Sequence, residues 1–211
     1  MGIGQGSVPR KDHGAGSAAL TFFSEGEAVT VDAMAARIIP SDAAGPGARE
    51  AQVVVYIDRA LAGVYKDLQT LYRRGLRELD ARCQDRFRGP FRELGEREQD
   101  LVLASLDLSP IGHESAGGDD DTSGPGEDAL LRQFFAVVRR HTMEGLFCDP
   151  AYGGNQGLIG WKLVGFPGAQ WSYSEEQMRP GFDAMHIPMK TLEDLRREHG
   201  GIKSSRVEGQ R

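Results

Sequence analysis

The sequence has little of several things that would narrow its function at once. Only two cysteines, Cys83 and Cys148, occur in 211 residues. That excludes a disulfide-dense secreted scaffold and leaves either one bridge or two separate thiols, the ordinary state inside cells. Lys and Arg number 25 against 31 Asp and Glu, with no basic stripe carrying interleaved aromatics. A nucleic-acid surface needs such a stripe to meet phosphates, so no nucleic-acid partner is expected. No apolar run reaches the roughly 18 residues of a membrane-span candidate. The opening residues, MGIGQGSVPRKDHGAGSAAL, contain neither an apolar signal core nor a twin arginine. A cytoplasmic location is the expectation, or a periplasmic one if a twin-arginine leader was removed.

Catalytic signatures are also missing. The sequence has no G-x-S-x-G, no Walker loop and no H-E-x-x-H. Gly2, Gly4 and Gly6 imitate the start of a dinucleotide motif without a preceding strand. The five histidines are scattered without metal-ligand spacing, and neither cysteine has a CxxC partner. Asp119, Asp120 and Asp121 lack the alternation and closing Glu of a calcium loop, so they read as a solvated charge run. His141 and Glu144 share a helix face and are either an acid/base pair or a brace at a helix end. With no nucleophile nearby, the brace is the simpler reading. No bound cofactor, metal or catalytic residue is expected in this chain.

What the sequence has is helical periodicity. Ser24 and Glu27 form a capping box, Val31, Ala35 and Ile38 follow at helical spacing, and Pro40 ends the segment. A second helix is expected from Ala48, with Val54, Ile57, Leu61 and Val64 on one face. Leu71, Tyr72, Leu76, Leu79 and Cys83 continue to Phe87, before Gly89 and Pro90. A further helix over 96–106 should turn Leu101, Val102 and Ser105 inward. The strongest helix, 128–146, carries Leu131, Phe134, Phe135, Val138 and Thr142 as a stripe. Thr191 can cap a last short helix that ends at His199, before Gly200 and Gly201. Residues 1–20 read as a disordered tail and 109–126 as a flexible loop, by their Gly, Ser and Asp content. The fold expected is mainly α: one domain over 21–211, a helical bundle with an irregular C-terminal lobe rich in Gly and aromatics.

That lobe is the sequence's most distinctive part. Glycines between 153 and 168 allow another backbone to approach closely. Tyr152, Trp161, Phe166, Trp171 and Tyr173 are rings of the kind interfaces use. They either cover the bundle or face outward, and composition leaves both open.

The same residues carry a family likeness. Thr142-x-x-Gly145-Leu146-Phe147-x-Asp149-Pro150-x-Tyr152-Gly153-Gly154-Asn155, continuing through Gly160-Trp161-Lys162 to Gly165-Phe166-Pro167-Gly168, resembles the C-terminal signature of the gluconate 2-dehydrogenase subunit 3 family. Ile38-Ile39-Pro40-Ser41-Asp42, Pro46-Gly47-Ala48 and Tyr56-Ile57-Asp58 resemble its N-terminal signature. The resemblance implies a non-catalytic small subunit that stabilises and matures an FAD-binding partner of the glucose-methanol-choline type. The substrates implied are sugars, glycosides or polyols. Some complexes of that family add a cytochrome c subunit. Interface roles are accordingly expected for Tyr152, Asn155, Trp161, Lys162, Phe166 and Pro167. Two variants of this expectation are a lobe that lines the partner's substrate entrance and a maturation chaperone that dissociates.

Overall fold

The structure, a computed structural model, describes residues 19–43, 45–107 and 125–208. Seven α-helices account for most of it: α1 (Glu25–Ile38), α2 (Val53–Ala62), α3 (Gln69–Phe87), α4 (Glu96–Asp107), α5 (Pro125–Phe147), α6 (Ile159–Val164) and α7 (Leu192–Glu208). No strand occurs among the described residues, only single bridges at Asp42–Gly45 and Gly168–Lys190. The mainly α bundle read from periodicity is the fold observed. Residues 1–18 of the tail and 109–124 of the loop lie outside the described residues, while Leu20 packs against the core and Pro125 and Gly126 open α5.

The longest helix, α5, is central and touches α1, α2, α3 and α4. Its stripe Leu131, Phe134, Phe135, Val138 and Leu146 meets Val31 and Met34, Ile57 and Leu61, Tyr72 and Leu79, and Val102 and Leu106 in one continuous core. Burial of this area is the dominant stabilising contribution of the bundle. Ion pairs tie the outside: Arg37 of α1 grips Asp100 of α4 with both Nε and Nη2, at 2.7 and 2.8 Å.

The start of α1 is fixed twice. Ser24 N donates to the Glu27 carboxylate at 2.9 Å, the reciprocal half of the capping box. Upstream, the buried carboxylate of Asp58 on α2 accepts the backbone N–H groups of Thr21, Phe22 and Phe23 at 2.7, 2.9 and 2.8 Å. A buried carboxylate is tolerated only with such donors, and here it pins the chain's entry to the bundle.

Several boundaries differ from expectation. Residues 48–52 form turns, because Gln52 sits in the left-handed region at φ 54°. Helix α2 therefore begins at Val53 and ends at Ala62, leaving Val64 outside it and 78% exposed. In α4 the buried row is Gln99, Val102, Leu103 and Leu106, while Leu101 and Ser105 face outward. The polar Gln99 disguises that register: its amide donates to the Phe91 carbonyl at 3.0 Å from a buried position. Helix α5 starts three residues earlier than read, and α7 runs through Gly200 and Gly201 to Glu208. Glycine permits a helix stop without enforcing one, at a cost of about 1 kcal/mol each inside a helix.

Candidate functional site

The last turn of α5 ends in carbonyls that no following helical turn satisfies. The lobe satisfies them with side chains. The Trp161 indole Nε1 donates to the Phe147 carbonyl at 2.8 Å, and the Asn155 amide donates to the Cys148 carbonyl at 2.9 Å. Asn155 Oδ1 then accepts the Gly160 N–H at 2.8 Å, holding α6 against the same turn. Asn155 takes φ 49°, a left-handed conformation that Asn adopts more readily than most residues.

Contact this close requires missing side chains. A Cβ on Gly154 would lie 2.1 Å from the Gly145 carbonyl oxygen, and one on Gly160 2.0 Å from that of Leu146. Asp149 completes the junction. Its carboxylate caps the short turn Pro150–Tyr152 through Ala151 N at 2.9 Å and reaches the Leu192 N–H of α7 at 2.7 Å. The sequence segment from Asp149 to Trp161 is thus a C-terminal cap on the central helix.

The N-terminal motif residues meet this junction in space. The Tyr56 hydroxyl donates to Glu144 Oε2 at 3.0 Å across 88 residues of sequence. The Tyr65 hydroxyl donates to the same oxygen at 3.1 Å, and Arg140 Nε stands 3.6 Å from Oε1. Gln156 N donates to the Ala51 carbonyl at 3.1 Å. Burial and the neighbouring Glu144 carboxylate raise the Tyr56 phenol well above its usual range.

His141 lies deeper, fully buried, with its ring stacked on Tyr65 at 4.5 Å. Its Nδ1 is 2.9 Å from the Tyr72 hydroxyl, and its Nε2 is 3.3 Å from Arg140 Nη2. A guanidinium only donates, so Nε2 accepts and Nδ1 carries the proton. Burial pushes the imidazole down to about 4, with Glu144 opposing that shift. His141 and Glu144 both brace α5 against tyrosines of the surrounding bundle: His141 bonds Tyr72 and stacks on Tyr65, and Glu144 accepts from Tyr56 and Tyr65.

A groove of about 690 Å³ opens beside these groups, lined by Tyr56, Arg59, Val64, Phe147, Cys148 and Tyr152 among others. Both cysteines are free thiols, and burial raises Cys148 to about 11 and Cys83 to about 12. Neither is a thiolate at neutral pH. Among the described residues no group of His, Cys, Asp and Glu could hold a metal ion, and no helix is long and apolar enough to cross a membrane.

The six residues expected at an interface divide. Tyr152 is 56% exposed, and Lys162 and Phe166 are exposed as well. Trp161 is only 3% exposed, Asn155 is fully buried and Pro167 is buried, so within this chain these three face inward. The reason is the unsatisfied α5 terminus: its carbonyls draw the indole and the amide inward. Of the four residues that suit a sugar chemically, Tyr152 and Lys162 are exposed, whereas Asn155 and Trp161 are buried. Sequence reasoning missed Leu163 and Val164, exposed beside Trp161 on α6, and Met185, exposed against Gly165. It also missed Tyr65 and Arg59. The signal for the first two was available: two apolar residues after a buried Trp in a six-residue helix must point elsewhere.

The fold and this surface define a helical bundle whose C-terminal lobe presents apolar side chains to solvent, the attribute of a chain that another chain covers. A family model described as Gluconate 2-dehydrogenase subunit 3 matches residues 25–168, and the chain belongs to that family. It is accordingly a small subunit of a dehydrogenase complex. No curated protein and no solved structure matches it.

Proposed function

We propose that this chain is the non-catalytic small subunit of a flavin-dependent complex that oxidises CH–OH groups of sugars, glycosides or polyols. Its role is to bind the FAD-carrying subunit, of the glucose-methanol-choline type, and to stabilise and mature it. The carrying observation is family membership across 25–168 together with an exposed apolar face on the lobe, at Tyr152, Leu163, Val164 and Phe166. Binding folded partner in preference to unfolded partner stabilises it by linkage.

The Rossmann arrangement, a strand leading into a glycine-rich helix start, does not occur among the described residues. FAD, and any electron transfer to a cytochrome c, belong to the partners in this reading. In this reading the complex assembles in the cytoplasm, with the periplasm as the alternative if a twin-arginine leader was removed from this chain.

The test is co-expression with an FAD-binding subunit of the glucose-methanol-choline type from the same genome. The expected result is co-purification, with higher FAD content and a higher melting temperature for the flavoprotein than when it is made alone. A flavoprotein that is fully loaded and active without this chain, and does not bind it, overturns the proposal. Stoichiometry of the purified active enzyme separates a resident subunit from a dissociating chaperone.

A further inference from the structure

The groove beside the α5 terminus has apolar walls, Val64, Phe147 and Tyr152, and two charged residues, Glu144 and Arg59. Their situations are opposite. Glu144 is satisfied internally by two tyrosine hydroxyls and Arg140. Arg59 is exposed, and the described residues offer it no hydrogen bond or ion pair. Its stem lies along Gly153, where a Cβ would stand 3.1 Å from both Cδ and Nη1. An uncompensated guanidinium at the edge of an apolar groove, next to an exposed Val and Tyr, matches an anion beside an apolar group, which on an unmodified protein partner is a carboxylate beside an apolar side chain. Arg and Tyr are also the residues that most often dominate binding energy at interfaces.

We propose that this groove receives a segment of the flavoprotein subunit carrying an acidic residue beside an apolar one. The acid pairs with Arg59, and the apolar side chain sits between Val64 and Tyr152. The inference rests on the function proposed above for its partner, and names the surface and the chemistry.

The chain's own segments fit poorly. The residues before 19 hold Arg10 and Lys11 against Asp12, the wrong sign. Asp119, Asp120 and Asp121 precede the far end of α5, roughly 28 Å along the helix axis from Glu144. A second copy related by a two-fold axis through the groove would bring Arg59 against Arg59, since such interfaces pair identical patches.

The experiment measures affinity of the full chain for the flavoprotein subunit, with wild type, Arg59→Glu, Val64→Glu and the control Arg74→Glu. Arg74 is an exposed arginine of α3 that lines a different groove. Both groove positions are exposed, so melting temperatures should match wild type. Arg59→Glu and Val64→Glu should each weaken binding by about tenfold or more, and Arg74→Glu should not. Arg59→Gln gives a second reading that needs no charge reversal: its affinity should fall less steeply with NaCl than that of wild type.

Wild-type affinity in both groove variants overturns the inference and leaves the proposed function standing. Equal losses in Arg59→Glu and Arg74→Glu overturn it as well, because net charge alone would explain them. A wild-type dimer that Arg59→Glu dissociates, with the flavoprotein complex intact, assigns the groove to a second copy and overturns it. Failure of wild type to bind the flavoprotein overturns both proposals.

Discussion

Trp161 fills a pocket and caps a carbonyl at the same time, so its truncation removes packing and leaves a polar group unpaired. Trp161→Ala should cost about 3–5 kcal/mol of folding stability, read as a drop in urea midpoint of the isolated chain. Affinity for the flavoprotein, corrected for folded fraction, should change far less. Unchanged stability with weakened binding would return Trp161 to the interface. His141 makes a different kind of claim, about pH. Its folded value near 4 lies below the ordinary value of 6.5, so between those values the unfolded chain binds more protons. Stability therefore falls as pH drops from about 6.5 to about 4, by roughly 3 kcal/mol at most. Below pH 4.5 the lowered carboxyls of Glu27 and Glu50 add losses in the same direction. Unfolding free energies measured from pH 7 to 4.5 should slope in wild type and flatten in His141→Gln. Parallel slopes would show that other groups carry the dependence.

At the scale of elements, legibility followed the physics of each segment. Helices α1, α3 and α5 were readable because their apolar residues recur every three or four positions and their caps are local: Ser24 and Glu27 are three residues apart. Helix α2 was read too long at both ends, since the left-handed Gln52 leaves no trace in composition. Helix α4 was read one register off because Gln99 is polar yet buried. The lobe was legible only as a motif, not as a structure. Its glycines signalled close approach, but the surface approached turned out to be α5 of the same chain. Nothing in a string of residues distinguishes a backbone that admits a partner from one that admits its own helix terminus. Two glycine substitutions test that assignment. Gly160→Ala drives a Cβ onto the Leu146 carbonyl and should cost about 1–3 kcal/mol or more. Gly26→Ala, in the first turn of α1 with nothing within 4 Å of its Cβ, should stay within about 1 kcal/mol of wild type. Equal melting temperatures for the two variants would mean that α6 does not press on α5 as described.

For the molecule as a whole, the continuous core and the C-terminal region are separable. Every fully incorporated core residue lies between Phe23 and Leu146, and the partly buried residues packed on it extend only to Ile159. Residues beyond Gly168 attach through a few bonds: Ala169 N to the Lys190 carbonyl at 2.7 Å, Lys190 N to the Pro167 carbonyl at 3.1 Å, and the Asp149–Leu192 link. Ile187 and Leu195 are buried there, outside the main core. A chain ending at Gly168 should therefore keep a cooperative helical melt, because the burial that drives folding is retained. It should still lose some stability: the bridge between Gly168 and Lys190 lies over the Trp161 ring, with a Gly168 Cβ placed only 2.5 Å from the indole Cζ3. Removing that cover exposes the cap of α5, and the loss should be smaller than that caused by Trp161→Ala, which removes the cap itself. Circular dichroism melts at 222 nm of the full chain, the truncated chain and Trp161→Ala would rank the three. A truncated chain with no cooperative transition would show that α7 and the segment before it belong to the folding unit, and that the bundle does not stand without them.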